Sequence, residues 1–147
     1  MKTVTHTFRG FLPLFLALLV LPLVAWAEST EKGIQFFQGT FKEALAKAKA
    51  ENKCLFFDAY ASWCGPCKTM DAEVYTDPKV AAYFAEKFIA IKVDMEKGEG
   101  PALAKRLTSI NGYPSLLFFG PDGFATKTVL GSRSAEDFLA EAKLVAK

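Results

Sequence analysis

The apolar positions of this chain change their period several times, and those changes divide it into elements. From Phe11 to Ala25 the run is apolar on every side. A polar lead-in, Glu28 to Thr40, carries Ile34, Phe36 and Phe37 and suggests a short edge strand. Phe41, Leu45 and Ala48 recur at helical spacing and predict a helix over 41–51. Thr40 before it and Glu43 three residues later make a capping-box pattern. Cys54 to Tyr60 is then almost wholly apolar, with one acid, Asp58, inside it. A strand so apolar is buried on both faces, as in a parallel sheet.

The second half repeats the alternation. A helix is predicted from about Cys64 to Tyr75, broken at Thr76-Asp77-Pro78. Asp77 as cap and Pro78 in the first turn start another helix, with Val80, Tyr83, Phe84 and Phe88 as its apolar stripe. Phe88 to Val93 reads as a second buried strand, and Pro101 to Leu107 as a short helix. Pro114–Phe119, a turn at Gly120–Gly123 and Ala125–Leu130 predict a β-hairpin. The segment Ser134 to Val145 closes the chain as an amphipathic helix, with Phe138, Leu139, Ala142 and Val145 inward. Strands alternating with helices, then a hairpin, imply an α/β fold with a central mixed sheet flanked by helices.

The chemistry concentrates in Trp63-Cys64-Gly65-Pro66-Cys67-Lys68. Two cysteines at this spacing can close a small ring, share a metal, or be unrelated thiols. A buried strand feeding the pair at a helix start favours redox chemistry. Residues i and i+3 share a helix face, with Cβ atoms roughly 5–6 Å apart and close to disulfide range. Pro66 suits the first helical turn, and Gly65 leaves the backbone free to turn. Cys64 would then sit where unpaired amides and the helix dipole favour a thiolate, which makes it the attacking residue. Cys67, one turn further in, becomes the resolving thiol.

The segment from Ala61 to Lys68 resembles the active-site segment of the thioredoxin superfamily. The resemblance extends to Asp58, at the place of that family's buried aspartate, and to Gly112-Tyr113-Pro114, at the place of its cis-proline. Asp122-Gly123 and Gly131 fall where the family turns its last hairpin and enters its last helix. It covers roughly residues 34–146. It implies a thioredoxin fold, a redox disulfide between Cys64 and Cys67, and a role for Asp58 in accepting the Cys67 proton. It also implies a partner groove formed by Trp63, Gly65, Pro66, Tyr113 and Pro114, with Trp63 shielding the disulfide. Burial in an apolar strand should raise the Asp58 carboxyl. Three departures matter: Tyr113 and Ser115 replace a small aliphatic residue and a threonine. The place of the family's strand lysine falls on Ala90, with Lys92 two residues on and facing the same side.

Composition then sets the compartment. Lys2 and Arg9, the apolar run and Ala25-Trp26-Ala27 together predict a secretory signal peptide over 1–27, leaving 28–147 as the thioredoxin-like domain. An uncleaved anchor competes, but Pro13, Pro22 and the small-x-small site favour cleavage. Without the leader the charges nearly balance, so no nucleic-acid partner is expected. The only histidine, His6, lies in the leader, which argues against a Cys–His hydrolase. One Cys-x-x-Cys cannot supply four soft ligands, so no metal and no cofactor are expected. Cys54 reads as a small core residue.

The expected function is therefore an exported, periplasmic or otherwise extracytoplasmic, thiol–disulfide oxidoreductase that reduces or isomerises protein disulfides. Gly-Pro between the cysteines resembles the reducing members. A membrane electron donor for re-reduction and a monomeric state are the corresponding expectations. A thioredoxin-fold binding module or chaperone, or an electron carrier dedicated to cytochrome maturation, is the alternative.

Overall fold

The computed structural model describes residues 32–146, so the expected leader, 1–27, lies outside the described residues. The helices are α1 Phe41–Ala50, α2 Gly65–Thr69, α3 Pro78–Lys87, α4 Gly100–Arg106 and α5 Ala135–Val145. The strands are β1 Cys54–Tyr60, β2 Phe88–Asp94, β3 Ser115–Phe119 and β4 Ala125–Leu130. They form one mixed sheet in the order β2-β1-β3-β4. β1 runs parallel to β2 and antiparallel to β3, and β3 pairs antiparallel with β4. No helix among the described residues is long and apolar enough to cross a membrane.

Alternation along the strands builds two cores. Cys54 and Phe56 of β1, Phe88 and Ala90 of β2, and Leu116 and Phe118 of β3 face α3 and α5. Leu55, Phe57, Ile89, Ile91, Leu117 and Phe119 face α1 and α4 on the other side. The centre of the first core is aromatic. Phe138 of α5 stacks on Phe84 at 4.9 Å and meets Phe56 at 5.2 Å and Tyr75 at 5.6 Å. Its ring is fully buried. Phe138→Ala is expected to cost ~3–5 kcal/mol, because the surrounding rings cannot collapse onto the hole. Urea unfolding of the two proteins measures it.

Local signals behave as the sequence indicates. Thr40 and Glu43 close a reciprocal capping box on α1. Asp77 accepts the Lys79 and Val80 N–H groups at the head of α3. Gly123 holds φ +88 in the β3–β4 turn, a backbone conformation that side chains disfavour.

Three expectations need correction. The helix after the cysteines is not uniform, because Met70–Val74 forms a π-helical turn in which Tyr75 N–H donates to Met70 O at 2.9 Å. Met70 and Val74 share a face at regular helical spacing, and the wider turn lets Tyr75 join them in the core. The lead-in makes only a single parallel bridge, Phe36 to Ala90, rather than a strand. The lysine beside the aspartate is Lys92, which pairs with Asp58, whereas Ala90 pairs with Phe56. A two-residue slip keeps every side chain on its face, so hydrophobic alternation could not distinguish those registers.

Candidate active site

β1 ends at Tyr60, and a short turn delivers Cys64 to the head of α2. Cys64 is the N-cap, with extended φ and ψ, and its Sγ accepts the Cys67 N–H at 3.2 Å. Pro66 stands in the first turn, where its missing N–H costs nothing. Cys64 and Cys67 form a disulfide with Cα atoms 5.4 Å apart. Both are buried, whereas Gly65 and Pro66 are exposed.

The disulfide packs with Ala61, and Tyr60 and Tyr113 lie against it. The Tyr113–Pro114 bond is cis, as the resemblance implied, and Pro114 is buried at the start of β3. Ser115 donates its hydroxyl to Gly112 O at 2.7 Å and so closes the turn that carries Tyr113. Trp63, expected as a shield beside the disulfide, is 65% exposed. Its ring meets Tyr113 edge-on at 6.0 Å, and its indole N–H donates to the Glu96 carboxylate at 3.0 Å. Together these contacts fix the indole beside Tyr113, the residue that lies against the disulfide. Glu96 belongs to a polar loop, and nothing in its local sequence marks it as Trp63's anchor.

Asp58 belongs to a second group, on the α3/α5 side of β1. It is fully buried, and neither carboxylate oxygen closes a hydrogen bond within the protein. Lys92 Nζ lies 3.6 Å from its Oδ2, an ion-pair rather than a hydrogen-bond distance. The same ammonium pairs with Asp71 of the π turn and sits over the rings of Tyr60 at 4.6 Å, Tyr75 at 5.6 Å and Phe36 at 5.9 Å. Burial pushes the Asp58 carboxyl up to about 6, against opposing pulls from Lys92 and the Tyr75 hydroxyl. Asp58 was legible in the sequence and Tyr75 read there as a core residue, whereas the gathering of Tyr75 and Asp71 around the Lys92 ammonium appears only in the structure.

Cys54 is a buried free cysteine at the opposite end of β1 from the disulfide. Burial, and then Asp122, push its thiol up, as suits a packing residue. Among the described residues no three His, Cys, Asp or Glu side chains group to hold a metal.

This geometry has known counterparts. A family model described as thioredoxin-like matches residues 36–121. A proposed disulphide-isomerase from Bacteroides thetaiotaomicron is 40% identical, with TM-score 0.68, over 79% of this chain and 95% of that one. The oxidised C-terminal domain of DsbD from Neisseria meningitidis is 29% identical, with TM-score 0.62, over 76% of this chain and 99% of that domain. The thiol:disulfide interchange protein DsbD of Pseudomonas fluorescens is 31% identical over 99 residues, which are 65% of this chain and 17% of that protein. The chain thus spans about a fifth of the length of the DsbD proteins it matches.

Proposed function

The chain belongs to the thioredoxin-like family of thiol–disulfide oxidoreductases, and on that premise we propose that it reduces or isomerises protein disulfides outside the cytoplasm. Residues 1–27 direct its export, and residues 28–147 act as a monomer without nucleic acid. A membrane electron donor returns the Cys64–Cys67 disulfide to the dithiol. The observation that carries this reading is the disulfide itself, with Cys64 Sγ at the N-cap position of α2.

The reaction follows from that placement. Amides at the helix head favour negative charge on the Cys64 sulfur, so Cys64 attacks the substrate disulfide. One substrate sulfur leaves as a thiolate, and the other remains bonded to Cys64. The Cys67 thiol then gives its proton to the Asp58 carboxylate, and its thiolate attacks Cys64 Sγ. The bond from Cys64 to the substrate breaks, and the second substrate thiolate takes a proton from solvent. Two electrons have passed to the substrate, and Cys64–Cys67 is oxidised. Trp63, Gly65, Pro66, Tyr113 and Pro114 form the groove that receives the substrate chain. Support for that groove comes from Tyr113, which lies against the disulfide and meets the Trp63 ring edge-on.

Reduction of insulin, read as turbidity, tests the proposal. Cys64→Ser is expected to lower the rate at least ~10³-fold, because the attacking atom is removed. Equal rates would mean a binding module whose thiols are incidental.

A further inference from the structure

We propose that Tyr75 is a positioning residue of the resolving step: its buried hydroxyl is the donor that receives Asp58 when that side chain is ionised. The inference rests on the role for Asp58 proposed above. It concerns a group that the thiol chemistry itself does not call for.

Three observations carry it. Tyr75 is buried in an aromatic shell, with its ring edge-on to Phe36 at 5.3 Å, Phe56 at 6.0 Å and Phe138 at 5.6 Å. A phenylalanine would satisfy every one of those contacts. Yet the side chain ends in a hydroxyl that, like both oxygens of Asp58, closes no hydrogen bond within the protein. Orphaned buried hydroxyls are costly, so a functional reason is needed. The third observation is proximity, since the Lys92 ammonium lies 3.6 Å from Asp58 Oδ2 and 5.6 Å from the centre of the Tyr75 ring, which gathers the two side chains around one cation. Burial and the Asp58 charge hold the Tyr75 hydroxyl well above its ordinary range, so it keeps its proton and remains a donor.

The groups facing Asp58 are few, and each has a distinct part. From β2, Lys92 approaches at 3.6 Å, but its ammonium is shared with Asp71. From the π turn, Asp71 stands behind Lys92 and disfavours the Asp58 charge, while Tyr75, just past that turn, favours it. Lys92 is therefore a divided partner and Tyr75 an undivided one. In the resolving step the proton moves from Cys67 Sγ to Asp58, so Asp58 must begin ionised. A donor aimed at that carboxylate keeps more of it ionised near neutral pH and contributes no proton of its own.

Tyr75→Phe removes one oxygen and leaves the ring. The reduced protein is mixed with Ellman's reagent in a stopped-flow instrument. The first thionitrobenzoate released reports attack by Cys64, and the second reports resolution by Cys67. Wild type, Tyr75→Phe, Asp58→Asn and the double variant are compared from pH 5 to 9. The expected result is that the acid limb of the second phase moves up by about one pH unit in Tyr75→Phe, with resolution roughly tenfold slower below it. The first phase should be nearly unmoved, and the double variant no slower than Asp58→Asn alone. A purely packing role would alter stability without moving the limb. An unmoved limb in Tyr75→Phe, with the limb lost in Asp58→Asn, overturns the role of Tyr75 and leaves that of Asp58. A limb that survives Asp58→Asn overturns both.

Discussion

Cys67→Ser is expected to turn the protein from a catalyst into a trap. Cys64 keeps its N-cap position in this variant, so it still attacks a substrate disulfide and bonds to it. Release then requires a thiol from solution. The native resolving thiol is three residues away on the same helical turn, held with Cα atoms 5.4 Å from Cys64. Such intramolecular groups act at effective molarities of ~10⁵ M or more, far above any free thiol. The mixed disulfide should therefore persist at least ~10³-fold longer than in the wild type, and turnover should fall to match. Cys54 cannot substitute, because it is buried at the far end of β1. Non-reducing gels of protein mixed with insulin check this. A stable adduct is expected with Cys67→Ser and not with Cys64→Ser. Rapid release from Cys67→Ser would remove Cys67 from the resolving role.

Asp58→Asn should stabilise the oxidised protein while slowing resolution. Burial raises the carboxyl to about 6 from an ordinary 3.8, so the folded state binds its proton more tightly than the unfolded chain does. Stability contributed by the protonated acid is full below about pH 4 and is lost as pH rises through about 6. A shift of that size corresponds to ~3 kcal/mol of destabilisation at pH 7. Asparagine carries no charge and escapes that loss. Lys92 keeps Asp71 as its partner, so the substitution does not strand a buried cation. The variant should match the wild type near pH 4 and exceed it by up to ~3 kcal/mol at pH 7–8. Urea unfolding across that range measures the divergence, and parallel curves would mean that the carboxyl is not raised. Resolution should slow by ~10²-fold near pH 7, the lower end for loss of a general base.

Sequence alone determined much of this protein, because several of its signals are local. The Thr40–Glu43 box, Asp77 with Pro78 and the Gly120–Gly123 turn each set a boundary through nearest-neighbour chemistry. The redox pair was legible for the same reason, since Cys64 and Cys67 meet across one helical turn that Pro66 and Gly65 permit. Asp58 stood out because a lone acid in an apolar strand is expensive to bury. Its partners were only partly legible, since Lys92 stood on the right face but two residues beyond the expected place. The pairing of Asp58 with Lys92 depends on how far β2 slides along β1 after a helical crossover, and period-two alternation is blind to a two-residue shift. Tyr75 joins the buried core just past the π turn at Met70–Val74, a widening that no local sequence signal marks. Trp63 found Glu96 across 33 residues, a partner that no local signal marks. Contacts between residues far apart in the chain depend on how whole layers settle against one another, and only the tertiary structure fixes that.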